Sequence, residues 1–117
     1  MAGEVRKIRL SDCELLATAD VASPDNITWG SEDRLLVASH TDSLTEMLAC
    51  QDLEQGACGM GFEIVGLDPD TMARTTLLSH RGAPMGAATV ALQIGKRIYM
   101  GSFAGDRIVY TDLPADP

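Results

Sequence analysis

The sequence predicts an all-β protein of about nine short antiparallel strands with one short helix set among them. Three observations carry this. Apolar and polar residues alternate over short runs, as around Ile27 and Trp29, which is the period of a half-buried strand. Compact turn signals, Gly95-Lys96 and Gly105-Asp106 among them, separate such runs. The chain also matches itself: a slide of 63 positions sets Ile27 on Val90, Trp29 on Leu92, Arg34 on Arg97, Leu36 on Tyr99, Ser39 on Ser102 and His40 on Phe103.

Taken in order, residues 4–10 form an edge-like strand carrying Val5, Ile8 and Leu10, Ser11-Asp12 turns, and 14–21 form a second strand. Ser23-Pro24 ends it, because proline restricts its predecessor and brings no N–H to a ladder. The stretch 23–40 is the centre of the chain. It holds two strands joined by a polar turn over 30–34, with Asp25 and Asn26 at its mouth and His40 at its far end. Residues 41–61 break the β pattern. Ser43 and Glu46 have the spacing of a capping box, Leu44, Met47 and Leu48 recur at helical spacing, and Gly56 is a stop signal, so a helix is expected over 43–53. The glycine-rich run 56–61 lacks the flanking strand and helix of a phosphate cradle and is expected to be a flexible loop. Strands follow at 62–67, 75–79, 87–93, 97–103 and 106–113.

Composition bounds the function. The 117 residues make at most one domain, and 45% hydrophobic with 22% charged residues is an ordinary globular balance. A net charge of −8 without a basic cluster excludes a nucleic-acid backbone as partner, since nothing is there to displace its counterions. No apolar run is long enough to cross a bilayer, so no membrane role is expected. The first residues carry no apolar segment of a secretory signal, which sets a cytoplasmic expectation. Cys13, Cys50 and Cys58 have no metal-ligand spacing. Cys50 and Cys58 would close a small loop in an oxidising compartment, but without a signal all three are expected as thiols.

Beyond the first strands the self-match changes register, Ile64-Val65 matching Ile108-Val109 at 44 positions. The difference of nineteen residues is the size of the helical insertion. Without it, the unit has the length of one four-stranded β-propeller blade. The expected organisation of 1–117 is thus a partial propeller of about two four-stranded antiparallel blades. One spans 23–80 with its insertion at 41–61, and an incomplete one spans 82–114. Two earlier strands belong to a preceding blade.

Two stretches then point to a family. The first runs from Pro24-Asp25-Asn26-Ile27 to Leu36-Val37-Ala38-Ser39-His40. The second runs from Met85-Gly86-Ala87-Ala88-Thr89-Val90-Ala91 to Ile98-Tyr99-Met100-Gly101-Ser102-Phe103. Both resemble the paraoxonase and arylesterase-like proteins and, more distantly, the gluconolactonase and senescence-marker-protein group. Those are six-bladed propellers with axial calcium that hydrolyse lactones and esters, and the resemblance covers their C-terminal third or so. It implies Asp25 and Asn26 as Ca²⁺ ligands and His40 as a residue of the active-site mouth, ordering or deprotonating water. The next blade has Ala88 and Thr89 in place of the ligand pair, and the family's other ligands and catalytic histidine dyad come from earlier blades. From the residues alone, Asp25-Asn26 before a strand is most often ordinary turn chemistry, and the favoured reading of His40 is a strand-end residue bonding a loop carbonyl. His80 is expected at the surface, and the scattered methionines as core filling.

Two functions are therefore expected side by side: a calcium-dependent lactonase or esterase, acting on a small lactone or ester and incomplete in the isolated chain, or a non-catalytic propeller segment serving as a binding or assembly module. Bare strand edges at both ends predict a homo-oligomer, with 4–10 of one copy pairing with or packing beside 106–113 of another. A closed trimer of six blades is the most economical ring, and a two-fold dimer is the alternative.

Overall fold

The structure, a computed structural model, describes residues 3–51 and 53–113; at Leu44 it describes the backbone alone. Pro114, the expected end of the second unit, lies outside the described residues. The described chain is all-β, with three small antiparallel sheets and one short helix. The strands are β1 (Glu4–Ile8), β2 (Leu15–Asp20), β3 (Pro24–Trp29), β4 (Leu35–His40), β5 (Phe62–Leu67), β6 (Arg74–His80), β7 (Ala88–Ile94), β8 (Arg97–Ser102) and β9 (Val109–Asp112). The helix α1 (Leu44–Ala49) lies between β4 and β5. Sheet order follows the chain: β1-β2, then β3-β4-β5-β6, then β7-β8-β9. Pro24 is tolerated because it opens its strand.

The sheets stack in chain order, and the side-chain period of two decides what each layer buries. On one face of the middle sheet Val37, Val65 and Leu67 meet Ala19 and Val21, with Val5 and Ala17 of the first sheet packed alongside. On its other face Leu36, Ala38, Phe62 and Ile64 meet Met85, Ala88, Ala91, Ile98 and Met100. Covered on both sides, β4 and β5 are near-continuous apolar runs. Met60, Met72, Met85 and Met100 are all buried, in keeping with core filling.

The internal repeat is visible in the strand register, with one correction. Val37 pairs with Val65 and Met100 with Val109, so the offsets of 63 for β4 onto β8 and 44 for β5 onto β9 hold. In the innermost strands the self-match is one residue out. Ile27 pairs with Val37 but Ala91 pairs with Met100, so Ala91 and not Val90 stands where Ile27 does. The cause is a turn with one more residue between Trp29 and Leu35 than between Gln93 and Ile98. A one-residue slip exchanges the two faces of a strand, so Val90 and Leu92 face away from the layer their sequence matches would face.

The insertion differs from expectation too. Ser43 caps α1 by accepting from the Glu46 N–H at 3.4 Å, but Glu46 turns outward to Arg81 at 3.6 Å and does not close the box. The helix stops at Cys50, well before Gly56, because Cys50 is disulfide-bonded to Cys58. This corrects the thiol expectation for that pair; Cys13 is free and exposed. The run 56–61 is pinned, not loose. Cys58 N donates to Ala104 O at 2.9 Å, Asp106 N to Gly56 O at 3.1 Å and Gly82 N to Gly59 O at 2.9 Å. Asp106 also accepts from Gly56 N at 3.0 Å, and Arg107 first and this N–H second hold its carboxyl below the ordinary carboxylate range. Cys58, Met60, Ala87 and Ala104 form a small core here, with Met47 of α1 against it. No described helix is long and apolar enough to cross a membrane.

Candidate functional site

The site is built on an irregularity of β3. Its pairing with β4 shifts register between Pro24 and Ile27, a bulge that turns Asp25 and Asn26 out of the ladder. The matching strand β7 is irregular at the same place, between Ala88 and Val90, but offers Thr89 where Asp25 stands. Opposite the bulge β4 ends in His40, which is only 4% exposed. Beside it Ser39 donates its hydroxyl to Ala22 O, tying the approach to β3 onto β4.

Asp25, Asn26 and His40 form one connected group. His40 Nε2 lies 3.3 Å from Asp25 Oδ2, and the Asn26 amide donates to Asp25 Oδ1 at 3.1 Å. The same amide donates to Thr89 O at 2.9 Å, so the group also clasps the neighbouring sheet. Thr28 adds a second clasp, donating to Ala91 O at 2.5 Å. The His40 ring meets the edge of Phe103, its partner in the 63-residue self-match, at 6.2 Å between centroids and 81° between planes. Its Nδ1 is buried without a hydrogen-bond partner among the described residues. An unpartnered buried nitrogen is costly.

A cleft of about 250 Å³ opens at this group, lined by Ser23, Pro24, Asp25, His40, Met47, Gln51 and Phe103. Met47 and Gln51 come from α1 and the residue pair after it, so the helix is one wall and the Cys50–Cys58 bond holds that wall. Asp25 remains 38% exposed at the opening. A larger cleft of about 380 Å³ beside the Glu32 and Asp68 turns holds no histidine, and chemistry places the candidate site at the smaller one. His80 lies elsewhere, its Nε2 2.8 Å from Ala83 O and its ring on Phe62. Sequence reasoning missed Met47, Gln51 and Phe103 as cleft residues. The match of Phe103 to His40 was the available signal, whereas the helix wall follows from a disulfide and has none.

As a calcium site the residues are a fraction. Both Asp25 oxygens already accept hydrogen bonds, and the Asn26 amide nitrogen is held by Asp25 and by the Thr89 backbone. Calcium takes about six to eight oxygens. Among the described residues no group of three or more His, Cys, Asp or Glu is placed to hold a metal. The pair fits as two ligands of a larger set and not as a site by itself.

Asp42 makes a separate polar anchor under α1. Its buried carboxylate accepts from Gly61 N at 2.8 Å and pairs with Arg81. The Gly61 N–H first, and Arg81 with it, hold this carboxyl below the ordinary carboxylate range against the opposing effect of burial. Compared with known proteins, the chain matches no family model, no curated protein and no solved structure.

Proposed function

We propose that the three sheets are consecutive blades of a β-propeller of the lactonase and arylesterase kind, and that Asp25, Asn26 and His40 are this chain's share of a hydrolytic site. The carrying observation is the stacking of matched units. Asn26 and Thr28 of β3 bond the backbone of Thr89 and Ala91 of β7, its matching strand, so two copies of one unit lie side by side with like strands together. Neighbouring blades meet in that way at their innermost strands. The bulge, His40 and the cleft all lie at the seam between them.

In this reading Asn26 fixes Asp25, Asp25 fixes the His40 ring, and Phe103 keeps water off the ring edge. His40 orders the water that attacks the ester or lactone carbonyl. The new C–O bond forms from water, the acyl C–O bond breaks, and the water proton passes through the imidazole to the departing alkoxide. Calcium, when bound by Asp25, Asn26 and ligands from outside this chain, would polarise the carbonyl and stabilise the oxyanion. The site is completed only when further blades supply those ligands.

A second reading is favoured by a specific observation: both Asp25 oxygens are engaged and His40 Nδ1 is sealed, which suits a clasp between blades in a non-catalytic assembly module. Hydrolysis of an aryl ester and an aliphatic lactone, measured with calcium and with chelator, separates the two. Calcium-dependent turnover lost in His40→Phe supports the hydrolase. Absence of turnover in the assembled, calcium-saturated protein overturns it and leaves the module.

A further inference from the structure

The stack has a polarity, and its two ends are complementary. Each sheet presents one face toward the sheet before it and one toward the sheet after it. The forward face of β3–β6, with Leu36, Ala38 and Ile64, is covered by β7–β9. The forward face of β7–β9 is bare among the described residues. Leu92, Tyr99 and Tyr110 form one row across its three strands, with Leu92 48% and Tyr110 57% exposed. The tyrosine rings lie 5.7 Å apart, and Arg97 sits 4.1 Å over Tyr110 while bonded to Asp112 at 3.0 Å, so the aromatic row is held in place. At the other end, the backward face of β3–β6 is covered only in part. The two-stranded β1–β2 sheet shields Val37, Val65 and Leu67, but Ile27 and Trp29, in the same rows on β3, stay 46% and 63% exposed.

We infer that a second copy of this chain docks head to tail, its Ile27 and Trp29 strip seated on the Leu92, Tyr99 and Tyr110 row of the first. The contact continues those already made inside the chain. Forward face meets backward face twice in each copy, β1–β2 on β3–β6 and β3–β6 on β7–β9, and the proposed contact is the next step of the same series. The register supports it: Tyr99 and Tyr110 stand where Leu36 and Gly66 stand one sheet earlier, so the row that receives the next sheet is the bulkier one. An exposed tryptophan opposite the exposed Tyr110 and the half-buried Tyr99 is the composition of an interface centre. Such a contact is heterologous, so copies close into a ring or extend as a filament. The inference rests on the stacked-blade reading and not on hydrolysis.

Trp29 is the only tryptophan of the chain, which makes the contact directly readable. Sedimentation and Trp29 quenching by acrylamide are followed together over dilution from high micromolar to nanomolar protein. The expected result is an oligomer in which quenching falls as mass rises, with association strengthened by salt because each copy carries −8. Leu92→Glu and Tyr110→Glu should each weaken association at least about tenfold, the loss that burying a charge at an interface centre brings. Ile27→Asp should do the same from the opposite face, while circular dichroism and melting of the dilute monomer stay unchanged. A monomer throughout, with Trp29 fully quenchable, overturns the inference. So does an oligomer that leaves Trp29 exposed and ignores all three variants, which would place the contact on the β1 and β9 edges instead. Ester hydrolysis, scored separately, can fail while this contact stands.

Discussion

Ile64 and Ile108 are the same residue at matched positions of two copies of one unit, yet the first is wholly buried and the second 75% exposed. The contrast runs through both copies. The middle sheet has four strands, a layer on each face and a long β4–β5 connection that carries α1, a disulfide and one wall of the cleft. Among the described residues the last sheet has three strands, one covered face and a short β8–β9 connection. His40 with Asp25 stands in the first copy, Phe103 with Thr89 in the second. The unit itself specifies a stackable sheet. The Asp25–His40 pair and its cleft belong to one copy only, beside the longer connection.

The largest expected effect tests this asymmetry directly. Ile64→Ala should cost about 2–5 kcal/mol by chemical denaturation, the range for emptying a buried aliphatic site. Ile108→Ala should stay within about 0.5 kcal/mol in the dilute monomer, as for an exposed side chain. Equal losses would mean that the last sheet is covered as fully as the middle one.

The longer connection should depend on its crosslink. Reduction, or Cys58→Ser, opens a loop spanning a separation of eight residues. Chain entropy puts the loss at about 2–3 kcal/mol. Proteolysis after reduction should cut first between residues 43 and 57, with β7–β9 untouched. At the floor of this connection a Cβ on Gly86 would run into the backbone of Gly59 and Met60. Gly86→Ala should therefore destabilise by roughly 1–3 kcal/mol, the cost of overpacking, measured by urea melts.

Asp42 carries the pH dependence of the same region. Its carboxyl is held below the ordinary range in the folded protein, so its contribution is fully present above the unfolded carboxylate value and is lost as pH falls through the folded one. Asp42→Asn should lose roughly 1–3 kcal/mol at neutral pH. It should also remove this part of the acid-induced loss, which paired urea melts at neutral and acid pH would reveal. The smallest effect is expected for His40→Phe, which writes the second copy's residue into the first. It removes a buried nitrogen without a partner and frees the half-exposed Asp25, so the melting temperature should hold or rise while any hydrolysis disappears. A loss above about 2 kcal/mol would show that the Asp25–His40 pair is chiefly structural.

The sequence by itself determined what is local or periodic. Alternation, short apolar runs and turn signals located the nine described strands, Ser43 marked the start of α1, and the offsets of 63 and 44 predicted the register of β4, β5, β8 and β9. Asp25, Asn26 and His40 were legible as candidates because residue type and strand ends are local properties. Tertiary structure decided the rest. One extra residue in the β3–β4 turn moved β3 out of register with its match, since a slip of one exchanges faces and no residue type announces it. The bond between Cys50 and Cys58 depends on where two chain segments meet, as do the wall that α1 gives the cleft and the joining of Asp25, Asn26 and Thr89. Burial is the clearest case: nothing in the identical letters of Ile64 and Ile108 tells which face another layer will cover, because that is settled by stacking at a distance of many residues.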